Sequence, residues 1–353
     1  MQITKAEVTP VELELRQPVH MPGHPPITRV MAAFIRLETQ NGGNAWGCGV
    51  AHPALNAQEP ERFLATCRQA ADRIPDLHPI DIAYSLSQLT PILQDVPSAM
   101  CAFDLAFHDL LGLSAGMPLY RLLGGYRHKI QTSVTIPIGS LEQRVESAQM
   151  RARQGFRMLK IKGGQDPQED IRCIRAIHRA LPDHTLRLDV DGCYSVQDAL
   201  DVARILGERV EMLEQPTPAG DLDGLCQVTR QSPVPVLADQ CITGPGSVLA
   251  LAAGHCADGF SIKIGSCGGL SNARQMDGVA RAAGLVMMVS CLIEPALLTA
   301  AGLSFALSSP GVHYADLDGY LDLDNDPTVP GFHLQEGWLV STDVPGLGCT
   351  VDL

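Results

Sequence analysis

Five charged side chains recur along this chain at intervals of 24 to 27 residues, each at the end of a short apolar run. That interval is about the length of one strand, one helix and two short loops. The five residues are Lys162, Asp189, Glu214, Asp239 and Lys263. In a parallel β/α barrel, such strand ends converge at the C-terminal mouth, where active sites are built. The spacing therefore predicts a barrel whose mouth holds three carboxylates between two lysines.

The rest of the chain leaves room for a second, smaller domain. With 353 residues, 45% of them hydrophobic, a full barrel leaves about a hundred residues over. Residues 1–50 alternate apolar and polar side chains between turn signals, which is typical of an antiparallel meander. Residues 58–123 change to a helical period. Strands and helices then alternate to about residue 310, and we expect the tail from about residue 338 to return to the first domain.

Helical periodicity in the second part of the chain predicts helices between the apolar runs. They are expected at residues 141–154, 166–180, 196–206, 221–231, 245–253, 270–283 and 296–307. A last strand is expected over residues 313–318. Near the start, residues 20–29 are rich in proline and glycine and predict a mobile loop, of the kind that often closes active sites.

Composition favours a soluble enzyme from a reducing compartment. The net charge of −13 and pI near 5.2 would repel nucleic acids and anionic membrane surfaces, so neither is expected as a partner. The 11 cysteines form no Cys-x-x-Cys pair, and many lie in apolar runs, where they are expected as small buried hydrophobes. No signal peptide or membrane span is visible, so we expect a cytoplasmic protein.

Alternation along one strand places two lysines inside the barrel. Met158, Lys160 and Lys162 should face the interior, while Leu159 and Ile161 pack under helices. A buried ammonium is unfavourable unless it is paired, so either carboxylates face the lysines or each lysine extends to water. Repulsion between the two lysines, together with a metal, is expected to lower the pKa of Lys162 enough to make it a neutral base near physiological pH.

Three carboxylates from successive strands suit one hard cation. Asp189, Glu214 and Asp239 could supply monodentate oxygens, which favours Mg²⁺, with Mn²⁺ as the second choice. Zinc is disfavoured because no cysteine or histidine belongs to the set. The alternative is a network in which these acids pair with arginines in the loops.

Further motifs extend over nearly the whole chain. They are Gly47 after Trp46, Ala102-Phe103-Asp104-Leu105-Ala106, Gly116-Met117-Pro118-Leu119, Leu122-Leu123-Gly124-Gly125, Lys160-Ile161-Lys162, Glu214-Gln215-Pro216, Gly268-Gly269-Leu270 and Pro345-Gly346-Leu347-Gly348. With the five charged residues, this set resembles the enolase superfamily, and within it the muconate-lactonizing-enzyme subgroup. The resemblance implies an α/β fold with a modified TIM barrel, (β/α)₇β, over residues 126–337. It also implies an N-terminal α+β capping domain over residues 1–125, joined by the C-terminal tail 338–353.

The resemblance also implies a chemistry. In this superfamily a proton next to a carboxylate is removed, and Mg²⁺ bound by Asp189, Glu214 and Asp239 stabilises the resulting enediolate. Lys162 and Lys263 would be the acid/base catalysts on opposite faces of the carbon, with Lys160 in support. A lysine cannot remove so weakly acidic a proton unless the developing charge is stabilised, which a divalent cation does. Two bases on opposite faces permit inversion, so a racemase or epimerase is the simplest use, although eliminations also occur in the subgroup.

Two acids near the end of the barrel indicate the substrate. Asp316 and Asp318 lie on one side of the last predicted strand, where paired carboxylates would bind a cation. This Asp-x-Asp resembles the dipeptide epimerases of the subgroup, in which it holds the free α-ammonium while the C-terminal residue is epimerised. Thr135, on the first barrel strand, stands where that family has a substrate contact. The alternative is an acidic loop that caps neighbouring backbone amides.

Side-chain preference is expected to come from the 20–29 loop and from Leu292 and Ile293. These residues suit apolar substrate side chains better than acidic ones. Arg29 alone would reverse that expectation if it bound a carboxylate.

Two positions depart from the pattern of the family. Relatives often have Asp-Glu-Ser where this chain has Asp239-Gln240-Cys241, so a charge beside the metal site is lost, which could alter the tuning of the lysines or the metal. Pro295 stands where relatives often have serine. Both departures bear on the substrate range.

Three hypotheses follow from the sequence. The first is a dipeptide epimerase, which Asp316 and Asp318 favour. The second is an N-acylamino acid racemase, o-succinylbenzoate synthase or cycloisomerase, for which those acids are incidental. The third is a barrel that binds a small amino compound or a metal without catalysis. By analogy with other proteins of this fold, we also expect a homo-oligomer.

Overall fold

The chain begins with an antiparallel sheet. The computed structural model describes residues 2–21, 24–78 and 80–353. Within those residues, the first sheet has three strands in the order β1-β2-β3. They are β1 (Ile3–Val19), β2 (Ile27–Thr39) and β3 (Asn44–Ala51). Phe34 of β2 pairs with Cys48 of β3, and both side chains are buried. The sheet is the meander that alternation predicted.

Helices follow the sheet and cover it. They are α1 (Pro53–Asn56), α2 (Pro60–Ala71), α3 (Ile82–Leu93), α4 (Pro97–Ala115) and α5 (Leu119–Leu122), after which comes the short strand β4 (Lys129–Gln131). Helix α4 lies directly on β3. A Cβ at Gly47 would lie 2.0 Å from the Ala102 carbonyl oxygen, and one at Gly49 would lie 2.1 Å from that of Ser98. Glycine is therefore required at both positions for this close packing.

A parallel barrel forms the larger part of the molecule. Residues 80–353, which are described without a gap, contain an eight-stranded parallel sheet whose strands follow chain order. Its strands are β5 (Ser133–Ile136), β6 (Met158–Lys162), β7 (Thr185–Asp189), β8 (Leu213–Glu214), β9 (Val236–Ala238), β10 (Gly259–Lys263), β11 (Val286–Ser290) and β12 (Val312–Asp316). A bridge between Thr132 and Ala315 sets the last strand beside the first, so the sheet curves into a barrel.

Each connection between barrel strands is helical, as the modified TIM barrel requires. The helices are α6 (Leu141–Arg153), α7 (Pro167–Ala180), α8 (Val196–Leu206), α9 (Leu222–Gln231), α10 (Pro245–Gly254), α11 (Ile264–Cys267), α12 (Leu270–Ala283) and α13 (Ala296–Ser308). The predicted helix ends agree with the observed ends to within one residue, because capping residues mark them in the sequence. Ser140 caps α6 in a capping box with Gln143, and Asp166 caps α7.

Some expectations need correction. Strand β1 extends to Val19 and β2 begins at Ile27, so the predicted 20–29 loop is shorter and Arg29 lies in a strand. Pro22 and Gly23 of that loop lie outside the described residues. The last barrel strand is Val312–Asp316, so Asp318 lies beyond it, at the N-cap position of a 3₁₀ helix (Gly319–Asp322). Cys226 and Cys256 form a disulfide, so the prediction that the cysteines are simply buried hydrophobes is wrong for this pair.

The C-terminal tail contacts both parts of the chain. It contains β13 (Thr328–Val329), β14 (Phe332–Gln335), β15 (Trp338–Ser341) and β16 (Thr350–Val351). Strand β15 pairs with β4, and further on the Leu119 amide donates a hydrogen bond of 2.8 Å to the Gly346 carbonyl. We therefore propose the division expected from the sequence, with residues 1–125 and 338–353 capping a barrel of residues 126–337. Among the described residues, no helix is long and apolar enough to cross a membrane.

Candidate active site

The predicted charged residues meet at the C-terminal mouth of the barrel. Lys162 stands beside Asp189 in the pairing of β6 with β7, and Asp189 stands beside Glu214 in the pairing of β7 with β8. Asp239 directly follows β9, and Lys263 ends β10. Parallel pairing in register thus turns a regular spacing in sequence into a cluster of charges in space.

Lys160 lies inside the barrel among three carboxylates. Its Nζ is 2.9 Å from Asp189 Oδ2, 2.9 Å from Glu214 Oε2 and 2.8 Å from Asp316 Oδ2. Burial lowers the pKa of Lys160, but attraction to Asp189, Asp316 and Glu214 outweighs burial and raises this pKa well above its ordinary value. Lys160 is therefore a permanent cation, and it is only 4% exposed, which excludes the alternative that its side chain extends to water.

Lys162 is held by two aspartates. Its Nζ donates hydrogen bonds of 2.8 Å to Asp189 Oδ2 and of 2.9 Å to each oxygen of Asp191. Burial and the neighbouring Lys160 lower the pKa of Lys162, but Asp189 and Asp191 outweigh them, so the pKa is raised. Like-charge repulsion alone therefore does not lower this pKa, because the two carboxylates have a larger effect, and the expected neutral base would depend on a cation that takes Asp189 away from Lys162.

The backbone around Lys162 is also fixed. Arg144 Nη2 donates a hydrogen bond of 2.6 Å to the Lys162 carbonyl oxygen, and Arg144 pairs with the buried Asp170 at 3.3 Å. Asp170 in turn accepts hydrogen bonds from the Gly164 amide and the Tyr194 hydroxyl, both at 2.7 Å. This buried network anchors the loop that follows β6.

Lys263 stands at the mouth with a simpler environment. Its ammonium donates a hydrogen bond to Asp239. Burial lowers the pKa of Lys263, but Asp239 and Glu214 outweigh burial and raise it. Beneath it on β10, Ser261 shares a hydrogen bond of 2.6 Å with Ser290 of β11.

The three predicted metal ligands fit a hard divalent cation in donor chemistry. All three are carboxylates, and Glu214 is fully buried. Glu214 Oε2 has an ion-pair contact of 2.9 Å with Lys160 Nζ, whereas Glu214 Oε1 has no hydrogen-bond partner within the described residues. Burial and repulsion from Asp189 raise the pKa of Glu214 to about 8. Buried carboxylate oxygens without a hydrogen-bond donor are unfavourable unless a cation neutralises them, which is what a metal ligand requires.

The ammonium groups occupy the space among these acids. In the described part of the chain, no three His, Cys, Asp or Glu side chains are spaced to enclose a metal ion. Lys160 and Lys162 both contact Asp189 Oδ2, and Lys263 contacts Asp239. A cation bound to the acids would therefore compete with these lysines for the same oxygens.

Asp316 and Asp318 lie at the same mouth but differ in their partners. Asp316 accepts a hydrogen bond of 2.6 Å from the Ser133 hydroxyl, and its other oxygen contacts Lys160. Asp318 accepts a hydrogen bond of 2.6 Å from the Thr135 amide. Burial and repulsion from Asp316 raise the pKa of Asp318 to about 6. Asp318 is thus the more available of the two for a cationic ligand.

A cavity of about 870 Å³ opens above these charges. Thr135, Leu292 and Ile293 line it, as do residues of the N-terminal region, including Met21 and Leu55. The mouth is therefore covered from the capping side, and the cavity is large enough for a small organic substrate.

Arg29 is not brought into this cavity. It lies on β2 and pairs with Glu12 at 2.9 Å, and its side chain is 66% exposed. The expectation that Arg29 could bind a substrate carboxylate is therefore not supported by its position.

Sequence reasoning missed two charged residues of the site. Asp191 holds Lys162, and its signal was its place two residues after Asp189, in an Asp-Gly turn opposite that lysine. Arg187 is fully buried inside the barrel, where it donates hydrogen bonds of 3.1 Å to the Ser133 hydroxyl and of 2.7 Å to Glu211. Alternation along the strand puts Arg187 on the same side as Asp189, but no pattern in the sequence indicates which residues it contacts.

Comparisons with known proteins agree with this architecture. Residues 143–353 match the family model described as "Enolase C-terminal domain-like". An L-Lys-D/L-Arg epimerase of Methylococcus capsulatus is 36% identical over 307 residues, covering 83% of this chain and 86% of that protein. A hydrophobic dipeptide epimerase of Enterococcus faecalis is 30% identical over 321 residues, covering 90% of this chain and 91% of that protein.

A solved structure extends the likeness to three dimensions. The dipeptide epimerase from Methylococcus capsulatus, complexed with Mg and the dipeptide L-Arg-D-Lys, superimposes with a TM-score of 0.92 at 31% identity. The match covers 99% of this chain and 100% of that chain.

This chain belongs to the enolase superfamily, through its enolase C-terminal domain-like family. It is an isomerase of the epimerase and racemase group, as the sequence predicted.

Proposed function

We propose that this protein is a dipeptide epimerase that inverts the α-carbon of the C-terminal residue. The observation that carries the proposal is the placement of Lys162 and Lys263 at the ends of β6 and β10. These strands lie four positions apart in an eight-stranded barrel, so the two lysines approach the cavity from opposite sides.

In the proposed reaction, a proton leaves one face of the α-carbon and another proton is added to the opposite face. One lysine, as the free amine, removes the α-proton from one face, and the other, as the ammonium, returns a proton to the opposite face. Asp189 and Asp239 raise the pKa of these lysines, so a cation held by the same carboxylates would favour the free amine by weakening those contacts. The α-carbon is planar in the enediolate between these steps, so return from the far side inverts its configuration. Lys160 stays charged and helps to hold the carboxylates in place.

The proposal includes a divalent cation. Asp189, Glu214 and Asp239 would hold Mg²⁺, with Mn²⁺ as a possible substitute. When bound, the cation supplies positive charge that stabilises the carboxylate of the substrate as it gains electron density.

Asp318 supports a substrate with a free ammonium. Its carboxylate lines the cavity, and the neighbouring Asp316 adds negative potential at the same place. The α-ammonium of a dipeptide would satisfy this charge, whereas an N-acylamino acid offers no cation there. Thr135 would position Asp318 through its amide, and Leu292 and Ile293 would contact the substrate side chains.

The experiment that tests this proposal is incubation with Mg²⁺ and pooled L,L-dipeptides in D₂O, followed by mass spectrometry. The pool includes apolar, acidic and cationic C-terminal residues, and N-acylamino acids serve as controls. Deuterium that enters only the C-terminal residue of free-amine dipeptides is expected, and it would also reveal the side-chain preference.

Two other outcomes would contradict the proposal. Exchange into N-acyl compounds alone would favour a racemase or another reaction of the subgroup. No exchange in any compound, with ligand affinity unchanged in Lys162→Ala, would favour a binding protein without catalysis.

The remaining expectations about partners also stay proposals. We propose a cytoplasmic location and, by analogy with other proteins of this fold, a homo-oligomer. We also propose that the protein has no nucleic-acid or membrane partner, because its net charge of −13 disfavours contact with polyanions. Light scattering after size-exclusion chromatography checks the oligomeric state, and cell fractionation checks the location.

A further inference from the structure

The two lysines of the site are held unequally. Lys263 donates its hydrogen bond to Asp239 alone among the described residues. Lys162 donates to Asp189 and, in addition, to both oxygens of Asp191, each at 2.9 Å. Asp189 and Asp239 belong to the proposed metal site, so Asp191 is an extra carboxylate that only one of the two lysines contacts.

Asp191 is held in an unusual backbone conformation. Its φ is +48°, and the following Gly192 has a φ of +75°. A left-handed conformation outside glycine is uncommon and persists where the surroundings enforce it. Here the Asp191 amide donates a hydrogen bond of 3.1 Å to Asp189 Oδ1, and the Gly192 amide donates one of 2.7 Å to the Gln215 carbonyl. The turn thus directs the Asp191 carboxylate onto Lys162.

The Asp191 side chain is also fixed from its other side. Gln240 Nε2 donates a hydrogen bond of 2.8 Å to Asp191 Oδ1, the same oxygen that accepts from Lys162. The Asp191 side chain is only 9% exposed. A carboxylate with a fixed backbone and two donors has little freedom to rotate, so it can define the position of the ammonium it binds.

We infer that Asp191 is a positioning residue for Lys162 and therefore acts on only one of the two faces of the substrate carbon. Asp191 holds the Nζ of Lys162 at the cavity wall, and Gln240 holds Asp191. Lys263 has no equivalent partner in the described residues, so loss of the Asp191 carboxylate impairs proton transfer on the Lys162 face and spares the Lys263 face. The inference rests on the proposed two-lysine function.

The test measures exchange of the α-proton in D₂O separately for the two epimers of one dipeptide, by NMR, with saturating Mg²⁺. The probe is the L,L-dipeptide from the pool that takes up most deuterium, together with its L,D epimer. Lys162→Ala first identifies the epimer that Lys162 serves, as the one whose exchange is lost. Asp191→Asn should then slow exchange of that same epimer by about 10- to 100-fold, the size expected when a catalytic group loses its alignment.

Exchange of the opposite epimer should be unchanged in Asp191→Asn. Asparagine tolerates a left-handed backbone, so the variant is expected to fold. Asp191→Gly removes the side chain and keeps the turn, and it tests the same selectivity if the asparagine variant does not fold. The matched control is Asp201→Asn, the same change at an exposed site on α8, which should exchange both epimers at the wild-type rate.

Several results would overturn the inference. Equal slowing of both epimers would mean a general structural role, and no slowing of either would mean that Lys162 needs no such partner. Mn²⁺ affinity, measured by calorimetry, should be the same in Asp191→Asn as in the wild type, and a marked loss would make Asp191 a metal ligand instead.

Failure of the proposed function has a different signature. If the wild type exchanges only N-acylamino acids, the same comparison is made with the two enantiomers of such a compound, and the inference about Asp191 is still decided. If the wild type exchanges no compound, the two-lysine function itself has failed, and the inference fails with it.

Discussion

The Asp318 carboxylate has few partners within the protein and is therefore available to bind the ammonium of a substrate. One of its oxygens accepts a hydrogen bond from the Thr135 amide, and the other lies 3.6 Å from the Cys291 sulfur. Asp316, by contrast, has both oxygens engaged by Ser133 and Lys160. The two acids of the Asp-x-Asp motif therefore differ in role. Asp316 pairs with groups inside the barrel, and Asp318 faces the cavity.

We expect Asp318→Asn to reduce kcat/KM for a dipeptide by about 10- to 100-fold, the range for loss of a hydrogen bond to a charged group. Steady-state kinetics measures this change. Asp324→Asn, an exposed acid paired only loosely with Arg16, serves as the control and should retain wild-type kinetics. An unchanged kcat/KM in Asp318→Asn would show that no ammonium binds there.

Glu214 is a buried carboxylate with one oxygen left unpaired. Lys160 contacts its Oε2 at 2.9 Å, but its Oε1 is buried and receives no hydrogen bond within the described residues, which is unfavourable unless a bound cation contacts it. Removal of the metal with a chelator should abolish exchange of the substrate α-proton in D₂O, and added Mg²⁺ should restore it.

A substitution tests the same metal site without catalysis. Glu214→Gln should lower Mn²⁺ affinity by more than about 10-fold, because even residues outside the ligand shell contribute that much. Calorimetric titration of the folded variant checks this result. Full exchange in the presence of chelator, or wild-type Mn²⁺ affinity in Glu214→Gln, would contradict the metal site.

At the scale of elements, α4 fixes the start of α12. Asp104 on α4 accepts hydrogen bonds from the Leu270 amide and from Ser271, so it satisfies amides that the first turn of α12 would otherwise leave unpaired. Gly269 precedes this turn with a φ of +105°, and a Cβ there would lie 2.4 Å from Asp104 Oδ2. The Gly268-Gly269-Leu270 motif is thus explained by contact between the capping region and the barrel.

Gly269→Ala should lower the free energy of unfolding by about 1–3 kcal/mol. Alanine would be strained at this positive φ, and its Cβ would displace the Asp104 carboxylate. Urea denaturation measures the loss. Gly278→Ala in the middle of α12 is the matched control, since a Cβ there meets no atom of the described chain within 4 Å. It should be neutral or stabilising, because alanine favours a helix more than glycine does. Equal effects at the two positions would show that the contact with Asp104 is unimportant.

At the scale of the molecule, the sequence predicted the path of the chain better than its side-chain contacts. Helix ends were predicted because Ser140 and Asp166 mark them locally. The charged cluster was predicted because parallel strands carry their ends to one side. Partners such as Asp191 for Lys162, or Cys226 for Cys256, depend on loop conformations and on distances between elements, which no periodicity encodes. Arg29 was predicted to lie in the 20–29 loop, but β2 begins at Ile27, so Arg29 lies in a strand and pairs with Glu12.

Asp109 links three parts of the molecule and makes its stability depend on pH. The carboxylate on α4 accepts hydrogen bonds of 2.8 Å from the Trp46 amide on β3 and of 2.7 Å from the Leu347 amide in the tail. Burial outweighs these hydrogen bonds and raises the pKa of Asp109 to about 6. In the unfolded chain an aspartate has a pKa of about 3.9. The folded protein therefore binds this proton more tightly, and the contribution of Asp109 to stability falls as pH rises from about 4 to about 6.

Asp109→Asn isolates this effect because asparagine does not titrate. A pKa difference of about two units corresponds to about 3 kcal/mol. We therefore expect the free energy of unfolding of the wild type, minus that of Asp109→Asn, to fall by about 2 kcal/mol between pH 4 and pH 7, since part of the change already occurs below pH 4. Urea denaturation of both proteins across this range measures the difference, in which the titration of all other groups cancels. A difference that stays constant, or that grows with pH, would show that the two amide hydrogen bonds dominate over burial and that Asp109 is held in its charged form.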